Sequence, residues 1–130
     1  MGPEHNRLAV AATVLADIGT PEGMNAIKEV LAGRYGAAVR AVAAGLRWSK
    51  NPAVCELAKP LLASPYLELA EDAALTLGAF GDFRAADSLN AILVRRQAHA
   101  PTLVTLAAWY LLKIDHATAT AVQDLVKNVR

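Results

Sequence analysis

Three leucines recur at a fixed interval, and this interval constrains the fold more than any other feature of the chain. Leu15, Leu46 and Leu77 are each 31 residues apart. A second apolar set keeps the same step, at Ile27-Val30-Leu31, Ala58-Leu61-Leu62 and Leu89-Ile92-Leu93. A period between about 20 and 50 residues is typical of stacked repeats whose neighbouring units share one core. The sequence therefore predicts a repeat architecture.

The composition favours helices as the repeating elements. Apolar residues make up 55% of the 130-residue chain, yet only 5% of its residues are aromatic, and much of the difference is alanine. Alanine suits closely packed helices better than sheets. Thirteen basic and twelve acidic residues leave a net charge of +1, which argues against nucleic acid or an anionic membrane as the partner.

The residues that usually form cofactor or disulfide sites are sparse. The single Cys55 excludes an intramolecular disulfide, and no histidine lies at helical spacing from another histidine or from the cysteine. We therefore expect no metal and no cofactor. No segment resembles a signal peptide, and no apolar run reaches the roughly 18 residues of a membrane span. These features predict a cytoplasmic protein.

The repeat divides the chain into four predicted units, each an antiparallel helix pair, within one domain covering residues 1–130. The units cover about residues 7–33, 37–63, 64–96 and 101–128. Thr20 and Asp82 are predicted to cap second helices, and Pro60 to kink its helix or end it early. A turn is predicted at Asp115-His116. The expected fold is thus an all-α, right-handed superhelix.

The fourth unit departs from the period, because Leu112 follows its predecessor Leu77 by 35 residues. Trp109 in this unit aligns with the predicted core column Ala12, Ala43 and Ala74. We therefore expect Trp109 to be a structural residue inside the core.

The segments at residues 15–22 and 75–89 resemble HEAT repeats, closest to the short, alanine-rich type of bacterial and phycobilisome-lyase-like proteins. In unit three the matching residues are Ala73-Ala74, Leu77, Gly78, Gly81 and Asp82. Unit two keeps Arg40, Ala43-Ala44 and Leu46 but has Ser49-Lys50-Asn51 in place of the glycine-aspartate turn. The resemblance implies a solenoid whose second helices line the concave side. A tetratricopeptide array would have a 34-residue period, which the 31-residue step argues against.

The outward positions of the second helices are polar and form the predicted partner-binding surface. They are Asn25, Lys28, Glu29, Glu56, Lys59, Asp87 and Asn90. They form either a solvated face or a groove that binds a protein segment of mixed charge. Trp48, at the rim, either anchors a ligand or covers the irregular turn that follows it.

The first helix lacks the polar face that the end of a repeat array requires. Leu8, Val10 and Val14 are among its apolar residues. Either this helix packs on another subunit in a homo-oligomer, or the chain belongs to a longer array. Replacing Val10 with a charged residue should change the oligomeric state.

No set of residues suggests catalysis. Cys55 has no histidine near it in sequence, and we expect Glu68, Glu71 and Asp72 to be solubilising charges on an exposed helix face. The sequence therefore favours a non-enzymatic scaffold or adaptor that binds another protein. One alternative, implied by the resemblance, is an accessory or lyase-like subunit related to the bilin-lyase HEAT proteins. The other is a structural segment of a larger repeat array.

Overall fold

A computed structural model describes the backbone of residues 3–96 and 100–127, and the side chains of residues 6–95 and 100–116. These two backbone ranges contain seven α-helices and no strand, which confirms the all-α prediction. The helices are α1 (Pro3–Ile18), α2 (Pro21–Leu31), α3 (Ala37–Leu46), α4 (Val54–Ala58), α5 (Leu67–Ala79), α6 (Ala86–Arg96) and α7 (Pro101–Lys127). Two 3₁₀ turns cover Lys59–Ala63 and Phe83–Ala85.

Three predicted helix signals in the first three units, at Thr20, Asp82 and Pro60, are confirmed. Thr20 is the N-cap of α2, and its hydroxyl accepts a hydrogen bond from the Gly23 N–H at 3.1 Å. The Asp82 carboxylate accepts one from the Arg84 N–H at 3.0 Å and caps the 3₁₀ turn that leads into α6. Because Pro60 cannot donate a backbone hydrogen bond, α4 ends at Ala58 and the chain continues as the 3₁₀ turn.

The Thr20 cap gives a direct test of one of these boundaries. Replacing Thr20 with alanine should lower the free energy of unfolding by about 1 kcal/mol, because the Gly23 N–H loses its acceptor. Urea denaturation followed by circular dichroism measures this change. Thr102→Ala, which shortens an exposed threonine on α7, is the matched control and should leave stability within about 0.5 kcal/mol. Equal losses in the two variants would contradict the capping role.

The fourth predicted helix pair is wrong, because α7 continues through Asp115-His116 as one helix of 27 residues. Glycine and proline are absent after Pro101, so nothing in this segment interrupts the helix, and aspartate and histidine are tolerated within one. Trp109 and Leu112 are 67% and 68% exposed. The prediction that Trp109 belongs to the core is therefore also wrong, since no second helix folds back over it in the described structure.

The first helices of successive units contact one another in order: α1 lies against α3, α3 against α5, and α5 against α7. The anchor residues Leu46 and Leu77 are fully buried between them. Leu15, on α1, is 37% exposed, because α1 contacts the first helix of another unit, α3, on one side only. The helices therefore form a row in which α1 is the outermost member at one side.

The contact between α1 and α3 is a close approach of two backbones. The Cβ of any residue replacing Gly45 would lie 2.3 Å from the carbonyl oxygen of Ala9. The Thr13 hydroxyl on α1 donates a hydrogen bond to the Gly45 carbonyl at 2.7 Å. Glycine is thus required at position 45 for steric reasons, and this contact fixes how the first two units meet.

Candidate protein-binding surface

All eight residues of the predicted partner-binding surface are exposed. They are Asn25, Lys28, Glu29, Trp48, Glu56, Lys59, Asp87 and Asn90. Exposure makes these side chains accessible to a partner. Whether they can form one site depends on which of them lie close together.

A cleft of about 180 Å³ lies between α2 and the segment formed by α4 and the 3₁₀ turn after it. Its lining combines five apolar side chains with two charged ones: Lys28, Leu31, Ala32, Glu56, Leu57, Pro60 and Leu61. Two residues of the predicted surface that belong to different units, Lys28 and Glu56, therefore share one cleft. The other six predicted residues are not among its lining residues.

Glu56 is linked to the start of α6 by an arginine. The Arg84 guanidinium lies 3.1 Å from the Glu56 carboxylate and 2.6 Å from that of Asp82. These hydrogen bonds hold the pKa of Asp82 below its ordinary value and raise that of Arg84. The Glu56 side chain remains 71% exposed, so it is oriented by Arg84 and still accessible to a partner.

Trp48 follows α3 and is 66% exposed. The guanidinium carbon of Arg47 lies 4.9 Å from the ring centroid, a cation–π contact. The irregular turn after Trp48 is closed by α1 instead: the Ser49 hydroxyl donates to the Asp17 carboxylate at 2.7 Å, and the Asn51 amide donates to the Ala16 carbonyl at 2.9 Å. The aromatic ring is therefore available to solvent.

Two carboxylates predicted to be solubilising are not on an exposed face. Glu71 is 6% exposed, and Arg95 lies 3.2 Å from its carboxylate. Asp72 is half-buried, and burial raises its pKa to about 6, an effect that Arg47 and Arg40 oppose. The repeat register contains the signal for this: Asp72 lies 31 residues after the buried Ala41.

The described residues show no arrangement typical of a metal or nucleophile site. Residues 6–95 and 100–116 contain no group of three or more histidine, cysteine, aspartate or glutamate side chains that could hold a metal ion. Cys55 is buried, and burial raises the pKa of its thiol. A raised pKa lowers the thiolate fraction on which cysteine reactivity depends.

The α1 residues predicted to mediate self-association are uncovered. Leu8, Val10 and Val14 are 40%, 61% and 50% exposed. An apolar helix face of this kind is a second accessible surface, separate from the cleft.

Comparison with protein-family models, with curated proteins and with solved structures finds no match for this chain. Within the described part of the chain, no helix combines the length and the apolar character needed to cross a bilayer.

Proposed function

We propose that this protein is a non-enzymatic adaptor with a HEAT-like superhelical arrangement, which binds another protein through the surface of its second helices. The observation that carries the proposal is the cleft between α2 and α4, because its lining combines apolar side chains with charged side chains of both signs. Surfaces of stacked helical repeats are well suited to such binding, since each unit presents one helix to the same partner.

The cleft's chemistry defines the partner. Its volume of about 180 Å³ suits an apolar side chain more than a drug-sized ligand. Lys28 would pair with an acidic group beside that side chain, and Glu56, oriented by Arg84, would accept a hydrogen bond or pair with a basic group. The proposed ligand is therefore a protein segment with one apolar residue flanked by charges of both signs.

The remaining predicted residues would extend this contact along the row of second helices. Lys59 would pair with a further acidic group, and Asn25, Glu29, Asp87 and Asn90 would supply hydrogen bonds from their exposed positions. Trp48 would contribute aromatic contact area at the rim. These contacts determine specificity and orientation, while the apolar side chain in the cleft supplies most of the affinity.

Selection from a displayed peptide library tests the proposal, because the library itself supplies the candidate ligands. The wild-type protein should enrich sequences that carry an apolar residue next to an acidic one. The double variant Lys28→Glu/Lys59→Glu should bind the selected peptides about 10- to 100-fold more weakly, because attraction becomes repulsion at two positions. Its own selection should shift towards basic residues. Fluorescence anisotropy with labelled peptides measures both affinities.

Lys50→Glu is the matched control, since it reverses an exposed lysine outside the cleft lining. It should leave peptide affinity within about twofold of wild type. The proposal would be overturned if peptides bound the wild type and the Lys28→Glu/Lys59→Glu variant equally. Failure of the wild type to enrich any sequence would also count against a cleft that binds protein segments.

A further inference from the structure

The outer face of α1 is an apolar stripe. Val10, Ala11, Val14 and Ile18 follow one another at helical spacing and therefore lie on one side of the helix. Val10, Val14 and Ile18 are 61%, 50% and 64% exposed. The opposite side of α1 carries Thr13, which is hydrogen-bonded to α3. We call these four residues the α1 stripe.

The repeat register shows that this face is covered in the later units. Val10 corresponds to Ala41, and Val14 corresponds to Gly45 and Thr76, at steps of 31 residues. Ala41 and Thr76 are fully buried, and Gly45 lies against the α1 backbone. In each of these units the preceding first helix covers the face. Within the described residues, only the first unit leaves it open.

The side chains of the α1 stripe do not allow a backbone contact as close as that between α1 and α3. That contact has no space for a Cβ at Gly45, whereas the corresponding residue of α1 is valine. Valine ridges favour ordinary helix packing, with axes about 8–10 Å apart. The face is therefore shaped for a helix that packs at this wider separation.

The charges that flank the uncharged part of α1 indicate which helix packs on the stripe. Residues 8–16 carry no charge, and the flanking residues are Arg7 and Asp17, of opposite sign. Two copies of α1 packed antiparallel about an axis between Ala11 and Val14 bring Arg7 of each copy towards Asp17 and the carboxyl end of the other helix. Both hydrogen bonds that Asp17 accepts go to Oδ1, which leaves Oδ2 available for this contact. A parallel pair would place like charges together.

We infer that the α1 stripe binds a second copy of this chain, as an antiparallel α1–α1 pair related by a two-fold axis. The contact uses the same patch on both copies, so it closes at the dimer. The apolar stripe supplies the affinity. The Arg7–Asp17 pairs determine the orientation and contribute little energy, because they lie at the exposed edge.

Sedimentation equilibrium of the full chain over a micromolar concentration series tests this dimer. The wild type should be dimeric, and Val14→Glu should raise its dissociation constant by about 100-fold or more, because each dimer would bury two unpaired carboxylates. Val94→Glu is the matched control: Val94 is 72% exposed but lies on α6. It should leave the dissociation constant unchanged. Val10→Glu should repeat the effect of Val14→Glu, and circular dichroism checks that each variant is folded.

Salt dependence tests the antiparallel orientation. Raising the ionic strength should weaken the wild-type dimer by a few-fold, and Arg7→Ala should abolish that dependence. A monomeric wild type, or equal effects of Val14→Glu and Val94→Glu, would overturn the dimer. Species that grow beyond the dimer with concentration, or an Arg7→Ala dimer that keeps the salt dependence, would overturn the antiparallel pairing.

Discussion

Replacing Gly45 with alanine is expected to lower the free energy of unfolding by about 1–3 kcal/mol. The new Cβ would lie 2.3 Å from the carbonyl oxygen of Ala9 and 2.9 Å from its carbonyl carbon. These are backbone atoms, so no side-chain rotation can relieve the overlap, and α1 must move away from α3. Overpacking costs about 1–3 kcal/mol. Loss of the Thr13–Gly45 hydrogen bond adds about 1 kcal/mol to this cost. The better helix propensity of alanine offsets about 1 kcal/mol.

Gly36→Ala separates this contact from the general effect of adding a methyl group. A Cβ at position 36 would have no neighbour within 4 Å, and the φ of 178° is extended backbone open to any residue. We expect its free energy of unfolding to change by less than about 1 kcal/mol. Urea denaturation of both variants, followed by circular dichroism, provides the comparison. Similar stabilities for the two would disprove the steric role of Gly45.

Replacing Asp72 with asparagine should stabilise the protein near pH 8 by about 2–3 kcal/mol and leave it nearly unchanged at pH 4. Burial raises the pKa of Asp72 from 3.8 to about 6, so the folded state binds this proton more tightly than the unfolded state does. The stability that protonated Asp72 gives the wild-type protein is therefore fully present below pH 3.8 and is lost as the pH rises through about 6. Asparagine, which cannot ionise, avoids this loss. The difference between the two pKa values corresponds to about 3 kcal/mol.

The measurement is the urea midpoint of wild type and Asp72→Asn between pH 4 and 8. Asp115→Asn, at an exposed position on α7, is the control and should follow the wild-type curve. Asp17 and Asp82 have lowered pKa values, so the stability they contribute is lost only as the pH falls below about 4. If Asp72→Asn kept the wild-type slope between pH 4 and 6, the carboxylate would not be the titrating group.

The sequence predicts the helices of the first three units well because local chemistry determines where they begin and end. Thr20 and Asp82 accept hydrogen bonds from backbone N–H groups, and Pro60 lacks a donor. None of these effects depends on a distant part of the chain. The buried Leu46 and Leu77 were predictable for a related reason, since their fixed spacing places both at equivalent positions in the row of helices.

The fourth unit could not be predicted from the period alone. Asp115-His116 falls where the repeat needs a turn, but neither residue interrupts a helix, and no glycine or proline follows them. Local propensity therefore prevails over the periodic pattern. Trp109 is exposed for this reason: the pattern predicts that a second helix covers it, whereas α7 continues as one helix.

The candidate surface was predicted in its exposed residues but not in its geometry. Helical periodicity identified Lys28 and Glu56 as outward-facing, yet only the packing of α2 on the second unit brings them to one cleft. The buried charges were missed because helical periodicity treats Glu71 and Asp72 as polar residues on a solvent face. Comparison across units predicts the burial of Asp72 better, since its equivalent Ala41 is fully buried.

The contacts between α1 and the second unit make local opening cooperative. Detaching α1 breaks the hydrogen bonds that Thr13, Ser49 and Asn51 donate across the interface, together with the one from the Lys50 N–H to Asp17. Three of these four belong to the turn after α3, so that turn cannot keep its conformation once the helix leaves. The Lys50 amide should therefore exchange its hydrogen with solvent when α1 detaches, and its protection reports on the free energy of opening the whole interface.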